Sequence, residues 1–116
     1  MITLRRIYDP SEPGEHYRVL VDRLWPRGIS KEKAGINEWL KDISPSNELR
    51  KWYSHDPAKW EEFRLRYKKE LILKYDELKR LKGLEEQNGT LTLLYSSKEE
   101  KYNNAVALRE FILEQS

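Results

Sequence analysis

Cysteine is absent from the 116 residues. That excludes disulfides, thiolate zinc sites, iron–sulfur ligation and a cysteine nucleophile. Long apolar runs are also missing. No stretch approaches the roughly 18 residues of a membrane span, and the opening Met1-Ile2-Thr3-Leu4-Arg5-Arg6 lacks the apolar segment of a secretory signal. Histidine is scarce: His16 and His55 alone do not make an imidazole metal site, so none is expected. A carboxylate Mg²⁺ site through Asp22 stays open as the one metal alternative. There is no G-x-x-x-x-G-K-[ST] loop and no G-x-G-x-x-G turn. No redox cofactor is implied, and a bound nucleotide would depend on arginines and a helix N-terminus. Together these absences lead to the expectation of a cytosolic protein without a cofactor.

What is present is charge and aromatic surface. Charged residues make up 36% of the chain, against about 25% in a typical domain. Four Trp, seven Tyr and two Phe argue against disorder. The length suits one domain spanning 1–116, burying roughly two-thirds of its unfolded surface. Net charge is +2, unevenly spread: +1 over residues 1–47, +4 over 48–82 and −3 over 83–116. The middle third is the natural footprint for a nucleic acid. Its acids are interleaved, as in Lys59-Trp60-Glu61-Glu62 and Lys69-Glu70. That pattern fits a solvated helix laced with i,i+4 pairs better than a cationic stripe.

Ile2 to Tyr8 reads as a strand, followed by a Pro- and Gly-bearing loop from Asp9 to Glu15. Tyr17-Arg18-Val19-Leu20-Val21 is a clearer strand, apolar enough to be buried on both faces. Ser30 is placed to cap a short helix through Lys33 that ends at Gly35. Residues 37–43 fit either a strand or a helix face, with an extended segment favoured. Ser46 is a good N-cap for a helix to about Ser54, and Asp56-Pro57 is a stronger start signal still. From Pro57 to about Lys82, Trp60, Phe63, Tyr67, Leu71, Tyr75, Leu78 and Leu81 recur at helical spacing, with an interruption expected near Lys74. Gly83 and Asn88-Gly89 are expected to close this region. Thr90 to Tyr95 is the next strand, and Asn103 to Gln115 the last helix. This order predicts an α/β fold: a small, mainly parallel sheet flanked by helices in a Rossmann-like three-layer arrangement. Ligands of such sheets bind beyond the carboxyl ends of the strands, which places Asp22 to Gly28 and Ser96 to Asn104 on one rim.

At these residues the chain resembles a known family. Arg18-Val-Leu-Val-Asp-Arg-Leu-Trp-Pro-Arg-Gly-Ile-Ser-Lys is similar to the signature of the YeaO-like proteins, domain of unknown function 488. Trp39-Leu-Lys-Asp-Ile-Ser-Pro-Ser, Leu49-Arg-Lys-Trp-Tyr-Ser-His-Asp-Pro, Thr92-Leu-Leu-Tyr-Ser-Ser-Lys and Asn103-Asn-Ala-Val-Ala-Leu-Arg-Glu extend the likeness over nearly the whole chain. The resemblance implies a compact α/β domain of bacterial or archaeal cytosol and supplies no activity. Tyr102 stands where relatives often carry His before the Asn pair.

Three clusters could carry chemistry. In the first, strand-end Asp22 is a candidate base, Arg23 and Arg27 offer forked donors for phosphate or carboxylate, and Trp25 offers a flat face. Gly28 would let backbone approach a ligand. The competing explanation is an Asp–Arg lock with Trp25 in the core. In the second, Arg50, Trp52, Tyr53, His55 and Asp56, His55 could act as acid or base, though a structural histidine beside a helix start is commoner. The third combines Ser96 and Ser97 with Asn103 and Asn104, able to hold an anion at a helix N-terminus or simply to cap it. The leading expectation is therefore an anionic small molecule, a nucleotide or phosphorylated metabolite, bound at the rim by Arg23, Trp25, Arg27, Gly28, Arg50, Ser96, Asn103 and Asn104. Asp22 or His55 would be catalytic if a reaction occurs. One rival is a nucleic-acid-binding or regulatory module using the basic 48–82 region, with Lys51, Lys59, Arg64, Arg66, Lys68 and Lys69 on phosphates and Trp52 stacked on a base. Another is a protein-interaction module, monomeric or homodimeric, with Leu65 and Ile72 on an exposed seam.

Overall fold

Four parallel strands form one sheet in the order β1-β4-β2-β3 in the computed structural model, which describes residues 1–115. They are β1 (Ile2–Arg6), β2 (Arg18–Leu20), β3 (Glu38–Trp39) and β4 (Leu91–Tyr95). The strand that comes last in sequence lies between the first two. Ile2 pairs with Leu91 and Arg6 with Tyr95 on one side; Arg18 pairs with Thr92 and Leu20 with Leu94 on the other. Ladder bonds reach past β2 at both ends, from the Thr92 amide to the Tyr17 carbonyl and from the Val21 amide to the Leu94 carbonyl. A strand paired on both sides and covered on both faces should be apolar throughout. All five residues of β4 are buried, the only polar one being Thr92.

Alternation along the strands sorts the sheet into two faces. Ile2, Val19, Val21, Leu91, Leu93 and Tyr95 point to one face, where they join the main core. Four helices cover it: α2 (Asn47–Tyr53), α3 (Trp60–Ile72), α4 (Tyr75–Asn88) and α5 (Asn104–Glu114). Tyr53, Trp60, Phe63 and Tyr67 run through this layer as consecutive ring contacts, with Tyr53 and Phe63 stacked at 4.3 Å. Fully burying one such ring contributes roughly 1.5–3 kcal/mol. The opposite face holds a smaller cluster of Ile7, Leu20, Ala34 and Leu94 under Trp25, Ile29, Ile36 and Trp39. Its cover is the one-turn helix α1 (Lys31–Ala34) and two loops, so the third layer is thin.

Local signals set most boundaries. Ser30, Ser46, Asp56 and Asn103 all act as N-caps, their side chains accepting from the amides of Lys33, Leu49, Ala58 and Val106. Gly35 ends α1 with φ +58°, a left-handed conformation that favours glycine. Residues 37–43 split between the two expected conformations: two residues of strand and then a 3₁₀ turn over Lys41–Ile43. The long amphipathic stretch is two helices rather than one. The chain breaks at Leu73 and Lys74, and α4 then runs through Gly83 to Asn88. Gly83 therefore sits mid-helix instead of closing the region. The break also resets the helical phase, which puts Tyr75 in solvent at 69% exposure and brings Leu84 into the core. In α5, Leu113 is exposed and Phe111 takes the buried position. The radius of gyration, 13.4 Å, is that of a compact fold of this length.

Candidate functional site

At the carboxyl end of the sheet, Asp22 leaves β2 beside the end of β4. Its carboxylate accepts from the Ser96 amide (2.9 Å), the Ser96 hydroxyl (2.6 Å) and the side-chain amide of Asn104 (3.1 Å). The same Asn104 amide donates to the Val21 carbonyl at 3.0 Å. Three elements (the β2 exit, the β4 exit and the first residue of α5) are thus joined through one carboxylate. Asn103, 3% exposed, caps α5 and donates to the Glu99 carbonyl at 2.7 Å, fixing the loop between β4 and α5. The structure brings together Asp22, Ser96 and Asn104, which lie up to 82 residues apart in sequence.

Arg23 turns toward the helix-covered side. Its Nε donates to the Pro45 carbonyl at 3.0 Å and its Nη2 reaches the Ser44 carbonyl at 3.4 Å. Lys74, from the α3–α4 break, donates to the same Ser44 carbonyl at 2.9 Å. Burial lowers the Lys74 pKa, and Glu70 opposes that shift. Beneath them the buried Tyr67 hydroxyl donates to the Ile43 carbonyl at 2.6 Å, its pKa raised well above the usual tyrosine value by burial.

The loop after Asp22 turns toward the other face. Trp25 donates through its indole N–H to the Ile29 carbonyl (2.8 Å) and meets Trp39 edge-on at 5.5 Å. Trp39 donates to the Asp22 carbonyl at 2.7 Å. The two indoles brace the loop rather than lie open as flat platforms. Gly28 takes φ +74° in this turn. Arg27 is exposed, and its carbonyl accepts from the Tyr8 hydroxyl at 2.6 Å. The Arg23 side chain is thus tethered to the 44–45 carbonyls on the helix-covered side, whereas Arg27 is held only by its backbone carbonyl, in a loop that turns to the other face, so the two guanidinium groups share no partner among the described residues.

Arg6, which the sequence did not single out, belongs to this rim. Its Nε is shared between the Ser96 and Ser97 carbonyls at 3.2 and 3.1 Å, and its guanidinium lies 4.5 Å from the centre of the Tyr8 ring. The strand-end rule that selects Asp22 applies equally to the last residue of β1. Lys74 carries a weaker signal, the expected interruption in the helical stripe.

The second cluster stays apart from this clamp. Arg50 is exposed and donates to Asn47 at 3.3 Å. His55 is exposed, follows Ser54 in a left-handed conformation (φ +57° and +46°), and its side chain makes no hydrogen bond among the described residues. The Tyr53 hydroxyl donates to the Tyr102 carbonyl at 2.7 Å; burial first, then Glu99 and Asp56, push its pKa up to about 12. Tyr102 itself packs 5.4 Å from Trp60. In the basic 48–82 region, Arg64 pairs with Glu61 and Glu110, Arg66 with Glu62, and Lys68 with Glu114. Trp52 lies under Arg66 at 4.2 Å and Lys59 at 5.1 Å. Leu65 and Ile72 are 59% and 60% exposed on α3. Among the described residues, no three His, Asp or Glu side chains gather as a metal-ligand set, and no helix is long and apolar enough to cross a membrane.

A family model described as the inactive DUF488-N3 subclade matches residues 1–116. The chain belongs to that DUF488 family. "Uncharacterized protein YeaO" of Escherichia coli is 43% identical over 111 residues, which is 96% of each chain. "Uncharacterized protein Rv3073c" of Mycobacterium tuberculosis is 46% identical over 70 residues, 60% of this chain and 59% of that protein. No solved structure matches. In this chain Asp22, Trp25, Ser96 and Asn104 tie the rim loops together.

Proposed function

We propose that this chain is a non-catalytic binding domain for an anionic small molecule, a nucleotide or phosphorylated metabolite, held at the carboxyl ends of its strands. The observation that carries this is the pairing of the arginines. Arg5, Arg18, Arg64, Arg66 and Arg80 each have a carboxylate partner. Among the described residues Arg6, Arg23, Arg27, Arg50 and Arg109 form no ion pair; three of these five, Arg6, Arg23 and Arg27, lie at the rim, where Arg6 and Arg23 bond only backbone carbonyls. Guanidinium groups without counter-charge suit the oxygens of a phosphate, and the rim of a parallel sheet is where such ligands sit. Asp22 favours binding over acid–base work. A carboxylate that already accepts three hydrogen bonds has little lone-pair capacity left to take a proton from a substrate. The family's description as an inactive subclade agrees with this.

The experiment is thermal unfolding against phosphate, nucleotides, sugar phosphates and short oligonucleotides at fixed ionic strength. A ligand at 100 times its dissociation constant adds about 2.7 kcal/mol, an upward shift of roughly several degrees. The expected result is a shift with one class of small anion that Arg27→Ala removes and Arg64→Ala leaves in place. A shift confined to oligonucleotides, steeply weakened by salt, would replace this reading with binding through residues 48–82.

A further inference from the structure

Two cations from distant parts of the chain meet on one oxygen. Arg23, leaving β2, and Lys74, at the α3–α4 break, both donate to the Ser44 carbonyl, at 3.4 and 2.9 Å. Heads that share an acceptor in this way lie roughly 6 Å apart or less, where like charges repel. Glu70, Glu77 and Asp42 act on Lys74 through space and partly offset the repulsion, but none of them bonds either cation. Glu70, one turn before Lys74, takes the Ser46 amide at 2.8 Å and the Ser46 hydroxyl at 2.6 Å. Asp22, next to Arg23, takes Ser96 and Asn104. Neither cation forms an ion pair among the described residues, and Lys74 is only partly exposed. Their positions are nevertheless fixed: the Pro45 and Ser44 carbonyls hold the guanidinium, and the helix break holds the lysine. A pair of cations assembled in advance with no carboxylate bonded to either is the arrangement expected of an anion site.

We propose that Arg23 and Lys74 form a cradle for the phosphate group of a phosphorylated small molecule, the anion bridging the two heads beside the Ser44 carbonyl. This rests on the rim-binding reading and adds to it a residue and a ligand class. Two positive charges, one a planar fork and one a point charge, match a phosphate dianion better than a singly charged carboxylate. Among the described residues Arg23 Nη1 makes no hydrogen bond, and Lys74 has two donors beyond the one given to Ser44.

The probe is inorganic phosphate, with acetate at the same ionic strength as the control. Binding is read from the unfolding midpoint, each variant being compared with its own phosphate-free state, and from the pH titration of the Lys74 ammonium by NMR. Phosphate should raise the wild-type midpoint where acetate does not, and should move the Lys74 titration to higher pH. Arg23→Gln and Lys74→Gln should each weaken phosphate binding about tenfold or more, the loss expected for one charged hydrogen bond. Lys74→Arg, which keeps the charge, should retain binding. Phosphate stabilisation that survives both glutamine variants and disappears in Arg27→Ala overturns the cradle and leaves the rim reading standing. Absence of any shift with phosphate, sugar phosphates or nucleotides, with an unmoved Lys74 titration, overturns both.

Discussion

The two faces of the sheet are built from the same strands and buried by different means. Leu93 and Leu94 are neighbours in β4, both fully buried, and they point in opposite directions. Leu93 meets a layer of four helices dominated by aromatic and aliphatic side chains. Leu94 meets a small cluster whose cover is α1 and loop-borne Trp25 and Ile29. Toward the amino ends of the strands the second face turns polar. The Thr3 and Thr92 hydroxyls bond each other at 2.9 Å, and Glu15 of the β1–β2 loop accepts from Arg5 at 2.7 Å. Arg18, 8% exposed, has Glu15 at 3.9 Å and an Nε without a partner. One face is thus closed by shape and the other partly by charge. Apolar packing tolerates little loss of volume, whereas an ion-paired loop depends on its counter-ions.

Substitutions on each face test this contrast. Leu93→Ala should cost the most, about 4 kcal/mol in denaturant unfolding, because rigid helices cannot collapse into the space. Leu94→Ala should cost less, roughly 2.5 kcal/mol, because loops relax more readily. Equal losses would show the second face to be as rigid as the first. Glu15→Gln leaves Arg18 without a counter-charge and should cost about 2 kcal/mol by the same measurement. Arg18→Met removes a half-satisfied guanidinium and keeps its volume; a change within about 1 kcal/mol of wild type, or a gain, is expected. A loss as large as that from Leu93→Ala would mean that Arg18 is essential to the face.

The smallest effect lies at the β3 edge. Arg80 holds the Glu38 carboxyl below its ordinary value of 4.5; burial opposes this and Tyr17 adds to it. Because the folded value lies below the unfolded one, the stabilisation is complete above about pH 4.5 and is lost as pH falls through the folded value. Arg80→Ala should therefore lower the unfolding midpoint slightly near neutrality, with the two curves converging in acid. A difference that persists at pH 3 would mean that Arg80 acts through packing instead.

Local chemistry was legible in the sequence, and long-range chemistry was legible only through a rule of the fold. Four N-caps and the left-handed Gly35 depend on residues a few positions apart, so the sequence carries them directly. The parallel sheet followed from the order of the elements, and the strand-end rule placed Asp22, Ser96 and Asn104 on one rim. That Asp22 would take three donors could not be read, because the donors come from residues 74 and 82 positions away. The roles of Arg6 and Lys74 were hidden for a similar reason: each is defined by the carbonyls it reaches, and carbonyls carry no residue code. The break at Leu73–Lys74 was expected, yet its effect on phase was not, so Tyr75 looked like core.

The place of β4 has a consequence for the order of assembly. β1 and β2 emerge first, but they do not touch; the strand that joins them begins at Leu91. Thr3 must wait 89 residues for Thr92. Every pairing of β1 spans such a separation, and distant pairings are slow to close because loop entropy must be overcome before contacts compensate. A nascent chain ending at residue 90 carries both outer strands and three of the four covering helices without the strand that organises them. Its unpaired edges are then most open to association with other chains.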